Sequence, residues 1–158
     1  MAKTQTQGAV WYSKGLDFTC TRCGKCCRDR DEPTFVFVEE DDILALSEHL
    51  GLSVKRFISR YCAWDEDGYI LTKKPGACIF WSEEVGCEVY EARPVQCRTW
   101  PFWASNLREE NWEEAADFCP GCNTGRHHGK REIEASAVRM MGRRGEGAAW
   151  PREIPFPV

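Results

Sequence analysis

The sequence predicts a small, irregular single domain of the α+β class, with about four helices and short antiparallel strands gathered around a set of cysteines. Three observations lead there. The chain has 158 residues, a length that suits one domain with a modest core. Its apolar residues recur at helical spacing in four stretches and in short strand-like runs elsewhere, with glycine and proline turns between them. Ten cysteines are scattered from Cys20 to Cys122.

In chain order, residues 1–13 read as a flexible arm, and 143–158, with Gly145, Gly147 and three prolines, as a loose tail, leaving 14–142 as the working domain. Thr34 to Val38 reads as a buried strand. The acidic run Glu39, Glu40, Asp41 and Asp42 then suits a helix N-terminus, where carboxylates meet the positive end of the helix dipole. That helix carries Ile43, Leu46 and Leu50 on one stripe, and Gly51 ends it. Ser53 caps a second helix bearing Val54, Phe57, Ile58, Tyr61 and Cys62 on one face. Tyr69–Thr72, Ala77–Trp81 and Cys87–Tyr90 read as short strands of a small antiparallel sheet. Trp112, Ala115, Ala116 and Cys119 mark a third helix before Pro120-Gly121, and Ile133, Ala137, Met140 and Met141 mark a fourth.

Composition narrows the function. Apolar residues make up 42% and charged residues 29%, with a net charge of −4, which gives no general attraction for nucleic acid or anionic membranes. The basic residues Arg126, Lys130, Arg131, Arg139, Arg143 and Arg144 are accounted for by a solvated helix face. No apolar stretch is long enough to cross a bilayer, and the polar start, Met1 to Val10, has no signal-peptide core, so the expected compartment is the cytoplasm. Cysteines stay reduced there, which favours metal ligation or redox chemistry over a disulfide scaffold.

The strongest signal is Cys20-x2-Cys23-x2-Cys26-Cys27, four thiols within eight residues. A C-x2-C turn brings two sulfurs toward one ion, each thiol losing its proton on binding. The neighbouring Cys26 and Cys27 are expected to point in different directions, suggesting two ions, or one ion and a bridging or reactive sulfur. Downstream, Cys78 and Cys87 flank a hairpin, Cys97 follows the Arg93-Pro94 corner, and Cys119 ends a helix. With the first four these make eight thiolates, enough for two four-cysteine sites. Such sites would be strongly anionic with zinc, and Arg22, Lys25, Arg28, Arg93 and Arg98 lie close by in sequence to offset the charge or orient the sulfurs. Zinc is one reading of this donor set. Iron is the other, because C-x2-C-x2-C with a distant Cys-Pro, here Cys119-Pro120, also holds iron–sulfur clusters.

Weaker candidates have plainer explanations. Cys62 on an apolar helix face reads as a small core residue. Cys122, three residues after Cys119, reads either as an auxiliary ligand or as a free thiol. His127-His128 reads as part of a solvated loop, and His49 as a lone helix residue. Trp100-Pro101-Phe102-Trp103 reads as aromatic packing that keeps water from the sulfurs. No phosphate loop, dinucleotide fingerprint or Ser-His-Asp set is visible, and no catalytic base can be named.

Phe18-x-Cys20-x2-Cys23-Gly24-x-Cys26-Cys27, Cys78-Ile79-Phe80, Cys87-Glu88-Val89-Tyr90-x2-Arg93-Pro94-x2-Cys97-Arg98-Thr99-Trp100-Pro101-Phe102 and Cys119-Pro120-Gly121 together resemble the YkgJ-type cysteine cluster family, the CxxCxxCC family of zinc- or iron-chelating domains. The resemblance implies metal ligation by Cys20, Cys23, Cys26, Cys27, Cys78, Cys87, Cys97 and Cys119. Zinc, iron or an iron–sulfur cluster would be the cofactor, and metal ions the expected partners. The flagellin lysine methylases look similar in their cysteine cluster, which keeps open a redox or methyltransferase-type alternative. The leading expectation is a domain organised around a cysteine-ligated metal centre, with the metal structural or handled; a secreted disulfide scaffold would need an export signal.

Overall fold

The computed structural model describes residues 9–66 and 68–141. The expected tail over 143–158, with Arg143 and Arg144, lies outside the described residues, as do the first eight residues of the expected arm.

The chain begins with β1 (Leu16–Phe18), passes through the first cysteines and a 3-10 turn at Lys25–Cys27, and reaches β2 (Phe37–Val38). Next comes α1 (Glu40–His49), started by a reciprocal cap in which Glu39 and Asp42 each accept from the other's backbone N–H. After Gly51 at φ +64°, α2 (Val54–Tyr61) begins on Ser53, whose hydroxyl accepts from Arg56 N at 3.3 Å. These two helices stand where the apolar spacing predicts them. Cys62, expected on the helix face, instead caps α2 and opens β3 (Cys62–Asp65).

β3 pairs antiparallel with β4 (Gly68–Leu71), and β4 with β2, giving a three-stranded sheet in the order β2-β4-β3. The following strands do not extend it. β5 (Lys73–Lys74) pairs with β6 (Ala77–Cys78), and β7 (Trp81–Ser82) pairs separately with β8 (Gly86–Cys87). The single small sheet expected over 69–90 is therefore divided among three separate sheets. Two-residue strands joined by tight turns leave no length for a shared edge.

A fifth helix, α3 (Val95–Thr99), follows Pro94, where about four helices are expected from sequence. Five residues carry too little periodicity to be seen. α4 (Glu109–Phe118), β9 (Cys122–His128) and α5 (Lys130–Met141) complete the described chain. β9 contradicts the solvated loop expected around His127-His128: its polar sequence has no strand pattern, but β1 supplies the pairing, with Leu16 opposite His128 and Asp17 opposite His127.

Two apolar cores result. Val38, Ile43, Leu46, Phe57, Leu71, Phe80 and Val89 form the first, beneath α1 and α2. Phe102, Trp112, Cys119, Cys122 and Ile133 form the second, against which Trp11, Phe18, Trp100 and Phe118 pack. Each fully buried aliphatic or aromatic side chain contributes about 1.5–3 kcal/mol. Trp11, inside the stretch expected to be an arm, donates its indole N–H to Leu107 O at 2.9 Å.

Candidate metal centre

A cavity of about 190 Å³ lies where the two cores meet, bounded by Leu71, Phe80 and Val89 on one side and by Phe18, Trp100 and Phe118 on the other. All eight predicted cysteines, Cys20, Cys23, Cys26, Cys27, Cys78, Cys87, Cys97 and Cys119, line it. Cys62 and Cys122 do not.

Separate elements deliver these sulfurs. Cys20 and Cys23 stand in the irregular loop after β1, whose exit is clamped by Thr19: its N–H donates to Gly121 O at 3.3 Å and its hydroxyl accepts from Arg126 N at 2.8 Å. Gly24 then adopts φ +73°, and a Cβ there would lie 2.0 Å from the Trp81 ring, so only glycine lets the loop rest on that indole. The turn that follows puts the Cys26 and Cys27 sulfurs 4.0 Å apart and both on the cavity, against the expectation that adjacent side chains diverge.

Beyond the turn, Arg28 bridges to Ala77 and Asp29 N donates to Gly76 O at 2.8 Å, which fastens the first cysteine group to the hairpin carrying Cys78. Cys87 arrives on β8, opposite Trp81. Cys97 rides on α3, and Cys119 is the C-cap of α4. Among the described residues, however, no three His, Cys, Asp or Glu side chains stand in a finished metal-holding arrangement. The sulfurs share a cavity without being drawn to one point.

The sequence profile of the CxxCxxCC family, whose description reads "Putative zinc- or iron-chelating domain", matches residues 19–120. The chain belongs to this family. It is also 32% identical over 94 residues to an uncharacterized protein of Methanocaldococcus jannaschii, an alignment covering 58% of this chain and 48% of that relative. The aligned part thus spans about half the length of the curated relative. No solved structure matches the chain.

The donor set of this CxxCxxCC domain fits a soft cation: eight sulfurs with no lining carboxylate. Cations balance them, with Arg22, Lys25, Arg93 and Arg98 in the cavity wall. Arg28 is not in that wall; it pairs with Glu83 at 2.7 Å. Tyr90 is stacked between two of the wall cations, the Arg22 and Arg93 guanidiniums lying 3.7 and 3.6 Å from its ring centre. Burial, and then the neighbouring Cys20 thiol, raise the tyrosine pKa.

The Cys26 pKa falls to about 7, chiefly because Cys27 donates a hydrogen bond to it, and Cys27 is correspondingly pushed far up. Burial raises Cys78, Cys87 and Cys97, and the neighbouring sulfurs add to the effect. Cys119 is held down to about 5, first by a hydrogen bond from Cys122. The Trp100 indole N–H also favours the Cys119 thiolate, although this buried donor has no completed hydrogen bond among the described residues. Outside the cavity, burial lifts Cys62 to about 12, in keeping with a small packing residue.

Asp42 is a residue that sequence reading assigns only to a helix start. It is buried, with Oδ2 accepting from Glu39 N at 3.1 Å and Oδ1 from Val95 N at 2.9 Å. Gln96, on α3, ties that helix to the β2 segment, accepting from Phe37 N and donating to Phe35 O, each at 3.0 Å. Both partners are more than fifty residues away, so no local pattern announces them. Among the described residues, no helix is long and apolar enough to cross a membrane.

Proposed function

We propose that the domain over 14–142 binds zinc or iron through Cys20, Cys23, Cys26, Cys27, Cys78, Cys87, Cys97 and Cys119, in a reducing, cytoplasmic setting, with the metal serving structure or being carried. The observation that carries this reading is the partition of the cysteines: these eight line one cavity, while Cys62 and Cys122 lie outside its walls. Arg93 and Arg22 compensate the thiolate charge, Tyr90 steadies Cys20, and Trp100 offers its N–H to Cys119. Bound metal would add cross-links between elements that the short ladders and the two apolar cores already hold together, so ligation and folding are coupled.

Elemental analysis and the visible spectrum of anaerobically purified protein test it. Zinc or iron bound in whole-number ratio supports the reading. Brown, sulfide-containing protein favours the iron–sulfur form, for which Cys20-x2-Cys23-x2-Cys26 and Cys119-Pro120 speak. Metal-free protein with an unchanged fold refutes metal binding.

A further inference from the structure

We propose that Cys119 and Cys122 form a disulfide under hydroperoxide and reopen under thiol reductants, and that this withdraws Cys119 from the cavity and releases the metal. The inference rests on the reading of Cys119 as a ligand. Cys119-Pro120-Gly121-Cys122 is a tight turn, closed by Cys122 N–H donating to Cys119 O at 3.0 Å. Residues three apart in such a turn have Cα atoms within about 7 Å, a separation that overlaps the range a disulfide spans. The two side chains belong to the same buried cluster of the second core.

Both are buried, and position relative to the cavity divides the pair into two roles. Cys119 faces the cavity, which is large enough to admit hydrogen peroxide. Cys122 is 6% exposed, packs in the second core and points its sulfur toward Ala115 O at 3.9 Å. That is the arrangement of an attacking and a resolving cysteine. The turn backbone is fixed against the strand leading to Cys20, for a Cβ on Gly121 would meet Thr19 O at 2.3 Å. Oxidation therefore swings the Cys119 side chain and leaves the chain in place.

The electrons balance as follows. The Cys119 thiolate attacks one peroxide oxygen, the O–O bond breaks, and the departing oxygen leaves as water after taking a proton from solvent. Cys119 is now a sulfenic acid. The Cys122 sulfur attacks it, an S–S bond replaces the S–O bond, and the hydroxyl leaves as a second water with the Cys122 proton. Two thiols have lost two electrons to one peroxide, and exchange with a dithiol returns them.

The test loads the full chain with zinc, adds hydrogen peroxide, and follows released zinc with a chromogenic chelator and disulfides by peptide mass spectrometry. The expected first disulfide is Cys119–Cys122, formed in step with zinc release and reversed by dithiothreitol. Cys122→Ala should load the same zinc and lose it at least about tenfold more slowly, because the intramolecular resolving thiol is gone. Cys122→Ser, scored identically, separates this from a packing defect. Another pair oxidised first, or wild-type release from both variants, overturns the proposal. A chain that takes up no zinc refutes the metal reading, and the disulfide map, which needs no metal, then judges the cysteine pair alone.

Discussion

Asp42 Oδ1 accepts the backbone N–H of Val95 at 2.9 Å, joining the first turn of α1 to the first turn of α3, two residues before Cys97. One buried carboxylate thus closes two helix starts, since Oδ2 takes the N–H of Glu39. Asp42→Ala strands both donors, at about 1–3 kcal/mol each. Urea unfolding of Asp42→Ala should show that loss, together with weaker metal retention, because α3 carries Cys97. Asp42→Asn keeps one acceptor oxygen and should lie between the variant and wild type.

Gly24 supplies a second handle on the first cysteine group. Gly24→Ala combines a left-handed backbone with a Cβ 2.0 Å from the Trp81 ring. Strain and overpacking together should cost about 2–4 kcal/mol and lower metal occupancy. Gly51→Ala, at φ +64° with open space around it, should cost only about 1 kcal/mol and leave occupancy unchanged. Paired urea midpoints and metal assays of the two variants check the contrast.

The cysteines themselves should divide by position. Cys97→Ala should reduce bound metal, whereas Cys62→Ala should keep full stoichiometry and lose only packing. The Cys62 thiol, lifted to about 12 by burial, should also resist alkylation at pH 8 in the folded, metal-loaded chain. Metal analysis and mass spectrometry of alkylated protein check both statements.

Much of this was legible before the structure. Cys20, Cys23, Cys26 and Cys27 stand out because their spacing is itself the chemistry, Cys78, Cys87, Cys97 and Cys119 enter through their turn and strand-end positions and the family resemblance, and α1 and α2 stand out because capping residues and apolar stripes are local signals. Asp42 and Gln96 escaped notice because what they bind lies more than fifty residues away. β9 escaped because Asn123, Arg126 and His127 are polar and exposed, its strand character coming from pairing with β1. The approach of the Cys26 and Cys27 sulfurs depends on the packing around the cavity, which sequence spacing does not encode.

Acid should weaken the β9–α5 corner. Arg126, at 2.6 Å, and then His128 hold the Glu132 carboxyl below its usual range. A pKa lowered by folding contributes stability above the unfolded value, and the contribution is lost as pH falls through the lowered one. Wild type should therefore exceed Glu132→Gln in stability near pH 7, with the difference starting to shrink as pH falls below the ordinary glutamate value of about 4.3 and gone only below the lowered one. Solvent exposure keeps that difference below about 1 kcal/mol. Thermal melts of both proteins across pH, subtracted at each point, remove effects common to the cysteines.

X-ray absorption at the metal edge of anaerobically purified protein tests the central claim most directly. A first shell made of sulfur alone, at about 2.3 Å if the metal is zinc, is the predicted result. A shell dominated by nitrogen or oxygen, or one left intact when Cys78, Cys87, Cys97 and Cys119 are all replaced by alanine, would contradict it.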